Sequence, residues 1–247
     1  MDIEILDDAE AVAHRAAGVI ADAAWDAITT RGLFVMAVSG GHTPWMMLRD
    51  LSAMGIPWRN VHIVQVDERV APEGHADRNL THLRESLMNH CRMPSDQLYA
   101  MPVESADLET AARFYAQTLG RIANAPPVLD LVHLGLGPDG HTASLVPNDP
   151  VLEVHDRDVA LSGPYQGRRR MTLTYPVLNR ARRVLWVVTG VEKAAMVNRL
   201  LDGDQSIPAG RVDSNHALLL ADCAAAPGRR TTTAGAGPSA IFGACPK

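Results

Sequence analysis

The chain has 247 residues, of which 47% are hydrophobic and 21% are charged, both close to the averages for globular proteins. A chain of this length can bury a sizeable core without disulfides or metals to hold it together. The formal net charge of −5 argues against nucleic-acid binding as the main function. No stretch of 18 consecutive apolar residues occurs, so the sequence predicts no membrane span.

The N-terminus and the cysteines together predict a cytoplasmic protein. The first ten residues, MDIEILDDAE, are acidic and lack the basic and apolar regions of a secretory signal. Cys91, Cys223 and Cys245 are odd in number and far apart, which indicates a reducing compartment and offers neither a zinc site nor a disulfide framework. The sequence does not fix the oligomeric state, and a monomer or a small homo-oligomer is expected.

Predicted helices and strands alternate along the chain. A helical pattern over 9–30 precedes an apolar strand at 33–38, and Pro44 suits the first turn of a helix that runs to about residue 54. Further strands are predicted at 61–66, 131–137, 184–190 and 216–222, weaker ones at 3–6, 158–161 and 171–174, and helices near 78–90, 107–123 and after 190. This alternation predicts an α/β fold with a mostly parallel, Rossmann-like doubly wound sheet and helices on both faces.

The sequence predicts one α/β domain over residues 1–226, followed by a tail over 227–247. The tail is rich in Gly, Pro and Thr, and 7 of its 21 residues are Gly or Pro. Such a composition favours a loose segment outside the core.

Four polar clusters directly follow predicted strands, at 39–43, 67–69, 139–142 and 190–193. Ligands of open α/β sheets bind beyond the carboxyl ends of the strands, where a parallel sheet would gather these clusters along one edge. Pairs of Cys, an HExxH motif and His clusters with ligand spacing are absent from the sequence, which therefore predicts no metal site.

The first cluster has the composition of an anion-binding loop. Gly40 and Gly41 let backbone N–H groups approach a ligand closely, Ser39 and Thr43 add hydroxyl donors, and a helix N-terminus follows. The P-loop pattern is absent, and an ordinary strand-to-helix turn would use glycines in the same way.

The other clusters carry ionisable side chains, and each has a functional and a structural interpretation. His141 follows a Pro-Asp-Gly turn, where it is placed either to act as a base near neutral pH or to cap a loop. Asp67 and Arg69 either serve the site or form a surface ion pair. The chain has only two lysines, and Lys193 is the one before the tail. It is predicted in the first turn of a helix, where a cation is unfavourable unless an anion lies beside it. Lys193 therefore either contacts an anion or is a solvated side chain at the helix start.

Taken in order, these segments resemble the 6-phosphogluconolactonase family, within the larger glucosamine-6-phosphate isomerase/deaminase superfamily. The most specific one, LGLGPDGHTASLVP at 134–147, is similar to the family's G-x-G-x-DGHTASLFP. The other matching segments are SGGHTP (39–44), VDERVAPEGHADRN (66–79), RMTLTYPVLNRARRVLWVVTGVEK (170–193), IPAGRV (207–212) and ALLLADCAA (217–225). The chain departs from the pattern at His42 and Arg78, where serines are usual, and at Val146, where phenylalanine is frequent.

The resemblance implies hydrolysis of 6-phospho-D-glucono-1,5-lactone to 6-phosphogluconate, with a small sugar-phosphate lactone as substrate and neither metal nor organic cofactor. Such a reaction needs a base for water, donors for the developing oxyanion and a proton for the leaving ring oxygen. The implied roles are His141 as the base, Arg69 to stabilise the carbonyl charge or orient substrate, Asp67 and Asp139 to fix Arg69, His141 or sugar hydroxyls, and Ser39, Gly40, Gly41, His42 and Thr43 with Lys193 to hold the phosphate. Arg170 is a further candidate contact that also suits a structural role.

Two other functions use related folds. The isomerase/deaminase branch resembles DGHIAFNEP, with a glutamate shortly after the histidine, whereas no acid lies between His141 and Asp149 here. A sugar-phosphate-sensing regulator would carry a helix-turn-helix, for which too few residues precede Leu33.

Overall fold

A seven-stranded sheet, parallel throughout, forms the centre of the fold in a computed structural model, which describes residues 1–232. The strand order in this sheet is β1-β10-β9-β6-β2-β3-β5. The strands of the described part are β1 (Asp2–Leu6), β2 (Phe34–Val38), β3 (Val61–Gln65), β4 (Asp67–Arg69), β5 (Leu98–Tyr99), β6 (Leu131–Leu134), β7 (Val159–Tyr165), β8 (Arg168–Leu173), β9 (Val184–Val188) and β10 (Ala217–Asp222).

Helices cover both faces of the central sheet, which confirms the predicted fold class. They are α1 (Ala9–Arg31), α2 (His42–Ser52), α3 (Asn79–Leu83), α4 (Leu108–Ile122), α5 (Tyr175–Asn179) and α6 (Ala194–Leu201), and one π-helical turn (Arg84–Met88) continues α3. Alternate residues of β2 join different cores: Phe34 and Met36 pack with α1 and α2, while Val35 and Ala37 pack with α4 and α6. Burial on both faces explains why this strand is a continuous apolar run.

The residues that flank the long helix α1 fix both its start and its end. The Asp8 carboxylate accepts a hydrogen bond from the Ala11 N–H at 2.9 Å and so caps the N-terminus. Gly32 follows the helix in the left-handed conformation, with φ of 84°, and its N–H reaches the carbonyl of Ile28.

The central sheet has a topological switch point between β2 and β6. From β2 the chain continues outward through β3 to β5, whereas β6 lies on the opposite side of β2 and is followed outward by β9. Connections that leave in opposite directions open a crevice at the carboxyl ends of these two strands. The loops starting at Ser39 and Gly135 emerge at this crevice.

A second sheet, small and antiparallel, has the order β4-β8-β7 and lies beside the central sheet that strand–helix alternation predicts. The two weak strand candidates near residues 160 and 172 belong to it. Gln166 and Gly167 join β7 to β8 with positive φ values of 50° and 77°, which suits the twist of a two-residue hairpin. The pairing places Arg69 of β4 opposite Arg170 of β8.

The first residues of the predicted tail contact the domain. Thr232 forms an antiparallel bridge with Ile3, with N–H···O distances of 3.0 and 2.8 Å, and the Arg229 guanidinium binds Asn198. The predicted boundary after residue 226 therefore falls within a segment that pairs with β1, because an edge strand offers free backbone groups. The rest of the predicted tail, 233–247, lies outside the described residues.

Among residues 1–232, Cys91 is a free thiol.

Candidate active site

A pocket of about 320 Å³ lies at the carboxyl ends of β2 and β6, at the switch point of the sheet. It is lined by ten of the eleven side chains and glycines that the sequence singled out: Ser39, Gly40, Gly41, His42, Thr43, Asp67, Arg69, His141, Arg170 and Lys193. The eleventh, Asp139, lies behind His141 and contacts it. The four clusters predicted from strand ends therefore converge on one cavity.

The loop after β2 presents a helix N-terminus to the pocket. The helix α2 begins at His42, directly after Gly41, whose φ of 138° favours glycine. Gly40 packs against Asn79, and a Cβ at residue 40 would lie 2.1 Å from the Asn79 Oδ1. No side chain of the described residues caps this helix start. The first N–H groups of α2 are thus available to an anion in the pocket.

Two contacts fix this loop from outside. The backbone N–H of Ser39 donates to Nδ1 of His133, a fully buried residue of β6, at 3.2 Å. The hydroxyl of Thr43 lies 2.7 Å from that of Thr189, which follows β9. The loop is therefore held toward β6 and β9, on one side of β2.

Three cationic side chains face the pocket. Lys193 ends a short 3-10 turn, Val191–Lys193, directly before α6, so it precedes the helix rather than lying in its first turn as predicted. Arg69 and Arg170 come from neighbouring strands of the small sheet. Arg170 is only 3% exposed. Burial lowers its pKa, as does the nearby charge of Arg69, but an arginine remains charged at neutral pH.

His141 and Asp139 form a hydrogen-bonded pair. The His141 Nδ1 lies 2.6 Å from the Asp139 Oδ1, and the His141 backbone N–H donates to the same oxygen at 3.2 Å. Burial alone would raise the pKa of Asp139, but hydrogen bonds from His141 and Tyr165 outweigh it and bring that pKa below the ordinary carboxyl value. An ionised carboxylate only accepts, so the proton in this hydrogen bond belongs to Nδ1.

The glycine before the Pro-Asp-Gly turn allows the His141 ring to lie where it does. A Cβ at Gly137 would stand 2.0 Å from the His141 Nδ1 and 2.2 Å from its Cε1. The Gly137 N–H in turn donates to the His141 carbonyl at 2.8 Å. The absence of a side chain at Gly137 therefore allows the His141 ring to lie close to this part of the backbone.

Asp67 is a buried carboxylate at the floor of the pocket and is 4% exposed. Its Oδ2 accepts a hydrogen bond from the Ser144 hydroxyl at 2.6 Å and lies 4.0 Å from the Arg170 Nη1. The Asn79 amide donates to the Asp67 backbone carbonyl at 3.0 Å. These contacts hold the carboxylate beside the guanidinium group.

The neighbouring Glu68 points away from the pocket and has a structural role. It is fully buried and pairs with Arg78 at 3.1 Å. Arg78 also donates to the carbonyl of Ala71 and to Glu104. Arg78, which stands where the family usually has a serine, thus supplies a buried cation as the partner of the buried Glu68 carboxylate.

Sequence reasoning missed several residues at the site. Asn79, Thr189 and Glu192 line the pocket, and Tyr165 and His133 support it from behind. Asn79 could have been identified from the sequence, because it ends the segment 66–79 that carries the family resemblance. Tyr165 and His133 gave no local signal, since their roles depend on which strands become neighbours.

Within residues 1–232, no set of three or more His, Cys, Asp or Glu side chains is arranged to hold a metal ion. Within the same range, no helix has the length and apolar character required to cross a membrane.

Comparison with known proteins identifies the class to which this fold and site belong. The family model of glucosamine-6-phosphate isomerases and 6-phosphogluconolactonases matches residues 7–220, and the chain belongs to this family. A 6-phosphogluconolactonase of Mycobacterium tuberculosis is 37% identical over 234 residues, which cover 89% of this chain and 95% of that protein.

Solved structures agree on the fold. The crystal structure of 6-phosphogluconolactonase from Thermotoga maritima matches with a TM-score of 0.79 and 26% identity, over 90% of this chain and 98% of that one. A monomeric glucosamine-6-phosphate deaminase matches with a TM-score of 0.80 at 18% identity, over 91% of this chain and 98% of that one. The fold is therefore shared by both branches of the family, and the side chains of the site must distinguish them.

We expect the buried imidazole of His133 to make the protein less stable as the pH falls. Burial lowers the pKa of His133 from 6.5 to about 3, so between these values the unfolded chain binds a proton that the folded chain does not. The free energy of unfolding should therefore decrease from about pH 7 to about pH 5, by about 2 kcal/mol from this group.

The variant His133→Leu removes this titration, and urea unfolding at both pH values measures the difference. The wild type should lose about 2 kcal/mol more than the variant over this interval. Equal losses would contradict the assignment of a neutral, buried imidazole.

Proposed function

We propose that the protein hydrolyses 6-phospho-D-glucono-1,5-lactone to 6-phosphogluconate. Membership of the family and the 37% identity to a named 6-phosphogluconolactonase support this substrate. The observation that carries the proposal is the shared pocket, in which the imidazole of His141 and a set of anion-binding groups face the same cavity. A phosphorylated lactone needs both at once.

In this mechanism His141 activates water. Its Nε2 takes a proton from a water molecule as the oxygen attacks the lactone carbonyl, and the resulting imidazolium returns the proton to the ring oxygen as the C–O bond breaks. Asp139 holds the Nδ1–H at 2.6 Å, which fixes the tautomer and stabilises the imidazolium. The reaction consumes one water and leaves the imidazole neutral for the next cycle.

Arg69 and Arg170 are placed to act on the carbonyl end of the substrate. Negative charge develops on the carbonyl oxygen during attack, and a fixed guanidinium in a partly buried pocket stabilises such charge effectively. Asp67, held by Ser144, keeps the Arg170 guanidinium beside the pocket. A carboxylate forms at the same position in the product, so these arginines also suit product binding.

The phosphate end is assigned to the loop Ser39–Thr43 and to Lys193. Backbone N–H groups at the start of α2 and the Lys193 ammonium line the same cavity. A helix N-terminus and a cation together form an effective phosphate site. His42 starts this helix and adds an imidazole in place of the usual serine hydroxyl.

The deaminase branch of the family gains no support from the site. The first acid after His141 is Asp149, whose carboxylate accepts from the N–H groups of Val151 and Gly163 at 2.9 and 2.8 Å. Those bonds commit it to the start of a 3-10 turn and to β7. The histidine thus has no nearby acid downstream with which to shuttle a ring-opening proton.

A coupled assay tests the proposed activity. Glucose-6-phosphate dehydrogenase generates the lactone, and the appearance of 6-phosphogluconate is followed with and without this protein. We expect the protein to accelerate product formation well beyond the spontaneous rate. A rate equal to the spontaneous background would overturn the proposal and favour a sugar-phosphate-binding role.

We expect His141→Asn to lower kcat by at least about 100-fold, because a positioned base contributes about 10²–10⁴-fold. Binding of 6-phosphogluconate should persist, since asparagine keeps the pocket polar and open. The matched control is His155→Asn, an exposed histidine beside Glu153 that should stay near the wild-type rate. A loss below about fivefold for His141→Asn would move the role of base to Asp67.

We expect Lys193→Ala to weaken kcat/KM by roughly 10- to 150-fold, since a charge-assisted hydrogen bond is worth about 1.5–3 kcal/mol. Part of the loss should appear in kcat, because phosphate binding positions the remote carbonyl. Unphosphorylated gluconolactone is the control substrate, and its slow hydrolysis should be nearly unaffected. An equal loss on both lactones would show that Lys193 does not bind the phosphate.

Chelation tests the proposed absence of a metal from the reaction. Because His141 supplies the base and Arg69 and Arg170 supply positive charge, EDTA should leave the catalysed rate unchanged. Loss of activity with EDTA that one divalent ion restores would contradict this mechanism.

A further inference from the structure

The hydroxyl of Tyr165, at the end of β7, lies where the side chains of His141 and Asp139 meet. It donates to the Asp139 Oδ2 at 3.0 Å and lies 3.4 Å from the His141 Nδ1. Asp139 therefore has both carboxylate oxygens engaged, one by the histidine and the other by the tyrosine. A carboxylate held at both oxygens cannot rotate freely away from the imidazole.

The tyrosine is suited to remain a donor. Burial raises the pKa of Tyr165, and the hydrogen bond to the Asp139 carboxylate raises it further. The hydroxyl thus keeps its proton throughout the range in which a histidine base works. The direction of the hydrogen bond is fixed, because an ionised carboxylate has no proton to donate.

The ring of Tyr165 contacts both His141 and an arginine of the pocket. It meets the His141 ring edge-on, with centroids 5.1 Å apart and an interplanar angle of 63°. The Arg170 guanidinium carbon lies over the tyrosine ring, 5.0 Å from its centroid. Groups that face the hydroxyl and ring are therefore Asp139, His141 and Arg170, and the small antiparallel sheet supplies both the tyrosine and the arginine.

We propose that Tyr165 is a positioning residue for the proposed lactone hydrolysis, acting on His141 through Asp139. The inference rests on the proposed function for its kinetic consequence, but its geometry stands independently. The hydroxyl holds the plane of the carboxylate, the carboxylate holds the Nδ1–H, and the Nε2 consequently faces the pocket. A two-residue turn at Gln166 and Gly167 places the tyrosine by closing the hairpin directly after it.

The first test is Tyr165→Phe, which removes the hydroxyl and keeps the ring contacts. We expect kcat to fall about 5- to 30-fold, which is less than the full value of a hydrogen bond to a charged group, because the hydroxyl acts on His141 only through Asp139. KM should stay within about twofold, because the hydroxyl does not line the phosphate end. The matched control is Tyr99→Phe, whose hydroxyl lies 3.0 Å from the His62 Nδ1 at the edge of the central sheet. It should keep the wild-type kcat.

A double-mutant cycle separates positioning from a general structural role. If Tyr165 acts through Asp139, then Tyr165→Phe should change kcat by less than about twofold in an Asp139→Ala background. An undiminished effect in that background would mean that the tyrosine acts by another route and would overturn the proposal. A kcat for Tyr165→Phe alone that matches the wild type would overturn it as well.

A spectroscopic measurement distinguishes failure of this inference from failure of the proposed function. Nitrogen-15 NMR of the histidine side chains reports which nitrogen of His141 carries the proton, without any substrate, and His141→Asn assigns the signal. We expect Nδ1–H in the wild type and a partial shift to the other tautomer in Tyr165→Phe. If the wild type is inactive but Tyr165→Phe still shows this tautomer shift, only the proposed function is overturned. An active wild type with an unchanged tautomer and kcat in Tyr165→Phe would overturn only the role of Tyr165.

Discussion

The buried carboxylate of Glu68 organises the part of the molecule on which the pocket depends. It accepts hydrogen bonds from the backbone N–H groups of Arg69, Asn79 and Leu80 and from the Gln65 side chain. One carboxylate thereby ties the end of β3, the strand β4 and the start of α3 together. A fully buried charge is tolerable only when it is paired and hydrogen-bonded, and Arg78 completes that requirement. The residues on either side of Glu68, Asp67 and Arg69, face the pocket as a result.

The pocket has the opposite electrostatic character from the molecule as a whole. The chain carries a net charge of −5, yet Arg69, Arg170 and Lys193 face one cavity together with a helix N-terminus. Cations gathered in a concave site raise the local concentration of an anionic ligand. The partial desolvation of Arg170, visible in its lowered pKa, strengthens its attraction for an anion because less water screens it.

The sequence was informative where structure is set locally and uninformative where it is set by distant neighbours. Strands β2 and β9 are predictable because both faces are buried and every residue is apolar. By contrast, β8 begins with three arginines, and its pairing with β7 and β4 is what makes it a strand of the small sheet. His141 was identifiable from its motif, and its spacing from Asp139 made their contact predictable. Tyr165 was not, since it reaches Asp139 across 26 positions of chain through a hairpin.

The bridge between Thr232 and Ile3 bears on how this protein can be shortened for laboratory work. It occupies the N–H and carbonyl of Ile3, and the Thr231 hydroxyl accepts from the N–H of Ile5. A chain cut after residue 226 would leave these groups of β1 exposed along the rim of the central sheet. Such a rim is a template for a strand from another molecule, so self-association and loss of solubility are the hazards of that truncation. A cut placed after residue 232 keeps the natural cover of the rim and avoids them.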